Sequence, residues 1–528
     1  MGMKNWILLL GCFLGAATAA TTFGQLPNKN LNLIGSLSYT QNLSDVWGYV
    51  DETGIEYALV GTTNGFSVVS LEDPTNPVEV FYTGGFPTVW RDIKVWNDRA
   101  YVTNEGGGGL TIVDLRPLPL GNNLPVYNYV GQNVPFNTAH NLYIDNGVAY
   151  LFGVDGTPHG ALYLDLSDPD NPTEMGSFDQ FYGHDGYVRD NTMYIAHIDD
   201  GFFGIYDISN MPTTNSLQTR GTPSSTSHNI WPSDDNQYVF TTDEVAAGYI
   251  AAYDISDLSN IEEVDRYQSR PGSGVYPHNV HYYNGYLVIS YYADGLIILD
   301  VTRPSNMVEV GRYDTSPNFS GDQTDGCWGA YPYFPSGRII TTDIQEGLQV
   351  FEPDYKRACY IEGTVRDVHT NLPITGVTIS EPFGNNPILT DIQGRYKIGL
   401  SDPGTYTYNV TKVGSGYFGQ SFSETLSRGD LVIRDIYLDN WPLGVDEPLE
   451  EVSWSLFPNP SAEGFRLQST DVSNTAQVVM RNAQGQVVSE ATAHLETLYG
   501  TELPVGWYSV EVIDRQGRVN RLSWIKIR

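Results

Sequence analysis

A motif that recurs seven times between residues 65 and 356, four turn-separated β-rich runs within each copy, and a change of pattern after residue 360 predict an all-β chain. The expected architecture is a seven-bladed β-propeller followed by two small β-sandwich domains. At 528 residues the chain exceeds the ~250–300 at which single cores stop growing, so several folded units are required.

The motif reads "GFSVVSLEDPTNP", "GLTIVDL", "ALYLDLSDPDNP", "GFFGIYDISNMP", "YIAAYDISDLSN", "GLIILDVTRPSN" and a truncated "GLQVFEPDYK". Its acidic mark falls at Asp114, Asp165, Asp207, Asp254, Asp300 and Glu352, 51, 42, 47, 46 and 52 residues apart, and Ser70 takes that place in the first copy. Within the sixth copy the runs "PHNVHYY", "YLVISYY", "GLIILDV" and "VEVGRYD" are split by Asn284-Gly285, Asp294-Gly295 and Pro304-Ser305-Asn306. Four strands per ~40–50 residues is the spacing of a propeller blade. One blade alone exposes both faces of a twisted sheet, so blades must stack about an axis. The last copy lacks its fourth run. "LNLIGSLSY" (31–39) resembles the outer-strand runs and is expected to supply it, leaving no open edge.

Residues 1–19 read as a cleavable secretory signal, with Lys4, an apolar stretch from Trp6 to Ala16 and Ala17-Thr18-Ala19; acylation at Cys12 is the alternative. No later segment approaches ~20 unbroken apolar residues, so no further membrane span is expected. Cys327 and Cys359 then remain, a pair that could form one disulfide in an exported protein. A formal charge of −34 argues against nucleic acid as a partner, since phosphate backbones demand Lys/Arg clusters. Residues 360–439 show alternating strands without the blade period and predict a small sandwich; "NWPLGVDEPLEEVS" (440–453) reads as a linker, and 454–528 predict a second sandwich.

Candidate site residues come from the start of each first strand: Asp45, Asp92, His140, His184, His228, His278 and Cys327, at gaps of 47, 48, 44, 44, 50 and 49. First strands line the central channel, so these side chains should ring one mouth. The loops between second and third strands should open there too, with Glu105, Asp155, Asp199, Asp200, Asp243, Glu244, Asp294 and Asp343. Two accounts stand. A repeat-wide polar residue can bond the connecting loops as part of the architecture, and Asn141, Asn229 and Asn279 suit turn bonding. Alternatively, imidazoles and carboxylates together suit a divalent cation or a polar ligand, with adjacent His140, His184 and His228 as the metal trio. No catalytic residue is assigned: G-x-S-x-G, P-loop and H-E-x-x-H motifs are all missing from the sequence. Asp314, Asp322 and Asp325 could hold Ca in an Asp-rich loop that lacks EF-hand spacing.

"GLTIVDL" and "GLIILDV" resemble the LVIVD repeat family, and residues 30–356 look like bacterial choice-of-anchor B proteins. The resemblance implies an extracytoplasmic propeller and carries no catalytic residues. Gly363-Thr364-Val365, "PITGVTI", "TDIQGRYKI" and "PGTYTYNV" resemble the carboxypeptidase regulatory-like domain, a non-catalytic spacer or binding module. Phe457-Pro458-Asn459-Pro460, the Gln484-Gly485 turn, "LPVGWYSVEV" and Lys526-Ile527-Arg528 resemble the type A sorting domain of the type IX secretion system. That implies export from a Bacteroidetes-type bacterium, with the secretion machinery as partner of residues 454–528. The function expected is a secreted or cell-surface binding or scaffold protein for an extracellular carbohydrate or protein. A propeller hydrolase or lyase with a His/carboxylate metal site is the second reading.

Overall fold

A computed structural model describes residues 27–156, 159–317, 323–381, 387–440, 454–469, 477–513 and 519–528. The expected signal, the Cys12 alternative, residues 441–453 of the expected linker and Asp322 lie outside them. Every regular element among the described residues is a strand, and no helix there is long and apolar enough to cross a membrane. The chain divides into two compact units, at Tyr355 and Lys356.

In the first unit, successive quartets of strands form four-stranded antiparallel sheets. The first runs Leu43–Val50, Glu56–Thr62, Gly65–Ser70 and Val78–Gly84, in chain order from inner to outer strand. The later sheets begin on Ile93–Trp96, Asn141–Asp145, Asp185–Arg189, Ser227–Pro232, Asn279–Tyr283 and Cys327–Tyr331. Each of these innermost strands lies beside that of the next sheet, and Cys327–Tyr331 lies beside Leu43–Val50. The result is a β-propeller. Its last sheet takes its outer strand from the other end of the unit: Leu31–Leu37 pairs antiparallel with Gly347–Pro353, Leu33 opposite Phe351 and Leu37 opposite Leu348.

Local chemistry explains the repeat. In four of the sheets the first and second strands are joined by two-residue turns with positive φ at both positions, among them Asn146-Gly147 at 47° and 78° and Asn284-Gly285 at 50° and 78°. This mirror-image turn matches the twist of a hairpin and admits Asn and Gly readily. The acidic mark stands at the end of the third strand, or three residues before it for Asp207, and its carboxylate accepts the amide two residues on: Asp165 from Ser167 at 2.7 Å, Asp207 from Ser209, Asp254 from Ser256 and Asp300 from Thr302, each at 2.9 Å. Ser70 Oγ accepts the Glu72 amide in the same way, at 3.3 Å. The middle strands Tyr286–Ser290 and Leu296–Asp300 are buried throughout, because a neighbouring sheet covers each face. Phe203, Phe240, Ala252, Leu287 and Ile297, from three successive sheets, share one core.

In the second unit, residues 359–438 form two four-stranded sheets that contribute Ile361, Val365 and Ile398, and Ile379, Val410 and Phe422, to one core. Residues 454–526 form a two-stranded and a four-stranded sheet with their own core around Trp524, Phe465 and Val510. Cys327 and Cys359 are buried thiols, one in each unit, and are not bridged to each other.

Candidate functional site

The strand starts at the axis carry two stacked tiers of side chains, where spacing had suggested one. A Thr of the preceding sheet donates to the carbonyl of His140 (Thr103, 2.9 Å) and of His278 (Thr242, 2.6 Å), and Thr342 makes the same bond to Ser44 at 2.5 Å. These threonines also accept the amides of Asp92, Asn229 and Gly329. The upper tier is therefore Ser44, Arg91, His140, His184, His228, His278 and Trp328. The lower tier is Asp45, Asp92, Asn141, Asp185, Asn229, Asn279 and Gly329. Asp45 and Asp92 belong one step below the histidines, and Cys327 one step before them. Gaps between successive candidate positions range from 44 to 50 residues, so spacing alone does not reveal a one-residue displacement.

The lower tier stitches the ring. Asp92 accepts from Lys94 Nζ at 2.6 Å and from the Leu142 amide of the next sheet at 2.9 Å. Asn229 donates to Asp185 at 2.7 Å and accepts the Val280 amide at 3.1 Å, so it bridges sheets where turn bonding was expected. Burial and the Asp92 charge push Asp45 well above the ordinary carboxylate range, and push Asp185 up to about 7. Asp92 sits below its ordinary value although burial opposes this, because Lys94 neutralises it. Farther along the axis Trp47, Tyr143, Tyr187, Trp231, His281 and Tyr333 meet, with Tyr143 to Trp231 5.8 Å and Trp231 to Tyr333 6.0 Å between ring centres. These pairs span non-adjacent sheets, so the aromatic rings plug the channel and turn its mouth into a pit.

All six sequence-predicted ligand residues, Asp45, Asp92, His140, His184, His228 and His278, line one cavity of about 50 Å³ at this mouth. The imidazoles form a crescent with ring centres 4.0 Å (140 to 184), 4.4 Å (184 to 228) and 4.6 Å (228 to 278) apart. His184 Nδ1 bonds the His228 carbonyl at 3.2 Å and His278 Nδ1 the Trp328 carbonyl at 2.6 Å. A carbonyl only accepts, so both Nδ1 atoms carry the proton and both Nε2 atoms keep a lone pair. Burial and neighbouring imidazoles hold His184 and His228 well below the ordinary histidine value, and burial takes His278 down to about 3. His140 differs: burial lowers it, but Glu105 at 2.5 Å from Nδ1 outweighs burial and raises it.

Of the eight loop carboxylates, Glu105 and Glu244 reach the crescent, Glu244 Oε2 standing 3.4 Å from His228 Nε2. Asp155 and Asp243 instead accept backbone amides of the segment leading into the first strand of their sheet, Asp343 accepts amides of its own loop, and Asp294 pairs with Arg270 and Ser269. Among the described residues, two three-residue sets have donor atoms within 4.8 Å of one another: His140, His184 and His228, and His228, Glu244 and His278. Arg91, Asp185 and Trp328 also line the cavity and were missed. Asp185 was legible, because it stands directly after His184 where Asn follows the other three histidines.

The LVIVD repeat model matches residues 276–315, the stretch that contains His278 and its sheet. No curated protein matches the chain. Among solved structures, the computationally designed protein Ika8 is 10% identical over 61% of this chain and 99% of its own, with a TM-score of 0.41. The β-propeller domain of Cps50 (Swd1) from Myceliophteria thermophila is 9% identical over 62% of this chain and 100% of its own, with a TM-score of 0.42.

Proposed function

We propose that this is an exported binding protein, secreted or held at the cell surface, whose working site is the pit at the mouth of a seven-bladed propeller. One observation carries the reading: neutral imidazoles, carboxylates and two tryptophans, Trp90 and Trp328, converge on a plugged polar cavity at the axis of a closed ring. Such a cavity offers fixed donors and acceptors on rigid strands, which is how a site buys affinity through preorganisation. At about 50 Å³ it takes an ion or the tip of a polar group, not a whole sugar ring. An extracellular carbohydrate or protein would therefore engage the loops around the pit and send one group inside. Residues 360–439 serve as a carboxypeptidase regulatory-like spacer, and residues 454–528 as the type A sorting domain read by the type IX secretion machinery. Sequence motifs and two sheet-built cores support both assignments.

The test is a thermal-shift panel of divalent cations, oligosaccharides and peptides on the purified chain, repeated with His184→Ala and His228→Ala. A ligand that raises Tm in the wild type and fails in both variants supports the reading; ligands that stabilise all three alike place the working site elsewhere. Export is tested by fusing residues 454–528 to a reporter in a host that carries the type IX system. Retention of the fusion inside the cell would remove the sorting assignment.

A further inference from the structure

We propose that the pit holds one d-block divalent cation on His228, His278 and Glu244, with His184 beside the remaining coordination position. This rests on the reading of the pit as the binding site and names its ligand. It also moves the metal away from the trio His140, His184 and His228 that chain order favours.

The geometry selects this set. Its three donor atoms lie within 4.8 Å of one another, and the 3.4 Å between His228 Nε2 and Glu244 Oε2 is one edge of a tetrahedron with bonds of about 2.0–2.1 Å. The supporting contacts are those that orient metal ligands. His278 Nδ1 is fixed by the Trp328 carbonyl at 2.6 Å, which turns its Nε2 lone pair away from that carbonyl. Glu244 Oε1 accepts the Tyr292 hydroxyl at 2.5 Å, leaving Oε2 toward His228. Two imidazoles and one carboxylate suit Zn, Co, Ni or Cu, whereas Ca demands six to eight oxygens that this pit does not gather. Glu105 fixes His140 Nδ1 at 2.5 Å in the same manner, so what separates the two sets is the anionic oxygen that Glu244 adds beside the imidazoles. Both candidate sets share His228, so only one can be filled at a time.

The whole chain, stripped with chelator and dialysed, is titrated with Co(II), Zn(II) and Ca(II) by calorimetry, and the Co(II) ligand-field bands are recorded. The expected result is one equivalent of Co(II) or Zn(II), a low-coordinate visible spectrum and no heat from Ca(II). Glu244→Gln should abolish the bands with the far-UV spectrum and Tm of the metal-free chain retained, and His278→Ala should abolish them with the far-UV spectrum retained and a lower Tm, since the Trp328 carbonyl loses its donor. Tyr292→Phe should weaken binding about 10-fold or more through the lost orienting bond. His140→Ala should leave affinity within about threefold, since it removes no ligand. The proposal falls if the wild type takes up no ion, or if His140→Ala abolishes uptake while His278→Ala and Glu244→Gln do not. If no ion binds but another polar ligand stabilises the wild type and not the His228→Ala chain, the cation assignment fails and the pit stands as the binding site. If an ion binds and no variant around the pit alters it, both readings fail.

Discussion

The nine histidines of the chain do different work, and their hydrogen bonds separate them. His197 is fully buried, with Nδ1 2.6 Å from the Tyr182 carbonyl and Nε2 2.8 Å from the Tyr206 hydroxyl, so its two nitrogens are satisfied inside the protein and it serves structure. Burial takes it down to about 4, and the Tyr182 carbonyl only partly opposes this. In the unfolded chain the same group titrates near ~6.5. Between those values the unfolded state binds a proton that the folded state refuses, so stability falls as pH falls from about 6.5 to about 4. His278 and His281, both down to about 3, act in the same direction, while Asp185, up to about 7, opposes them by holding its proton in the fold. The expected outcome is a Tm that drops on acidification from pH 7 to pH 4. His197→Phe should give a shallower acid limb by roughly one proton, about 1.4 kcal/mol per pH unit, despite a lower Tm at neutral pH. An unchanged slope in that variant would assign the acid sensitivity to the pit alone.

At the scale of strands and turns, the repeat was legible because its marks have local causes. Asp254 ends a third strand and accepts both the amide of Ser256 at 2.9 Å and its hydroxyl at 2.6 Å, so an acidic residue recurs wherever that turn recurs. Asp254→Ala should cost about 0.5–1.5 kcal/mol in urea denaturation, with Asp254→Asn recovering most of it, since the amide oxygen can accept the same bonds. Equal losses in both variants would point to charge in place of the turn. The axial frame was less legible for an equally local reason. Gaps between successive candidate positions vary from 44 to 50 residues, so a displacement of one residue leaves no trace in them, and spacing alone aligned Asp45 and Asp92 with the histidines. Nor could spacing choose Glu105 and Glu244 from eight loop carboxylates. That choice depends on which loop turns its acid inward: Asp155 instead accepts the amides of Asn137 and Thr138, and Asp343 those of Gln345 and Glu346.

Across the whole first unit, the pit depends on the ring that holds it, and the ring is joined by one strand. Leu31–Leu37 covers the edge of Gly347–Pro353, whose Leu348, Val350 and Phe351 are buried. The same segment also grips the preceding sheet. Lys29 and Arg312 exchange backbone bonds at 2.8 and 2.9 Å, and Asn30 donates to the Val310 carbonyl at 2.7 Å. Deleting residues 27–38 from the full chain should therefore expose an apolar edge, lower Tm by several degrees and promote association between copies. Gly35 offers a single-residue version, because a Cβ there would stand 2.1 Å from the Pro74 carbonyl oxygen; Gly35→Val should shift the strand and lower Tm without deletion. A synthetic peptide of residues 27–40 should bind the deleted chain by strand addition and restore its Tm, yet leave the intact chain unaffected. If the deleted chain melts like the intact one and ignores the peptide, the strand is an ornament and the inner strands alone hold the ring. If the peptide restores Tm, closure at the rim sets the spacing of His184, His228 and His278 at the axis, and ligand affinity at the pit should return with it.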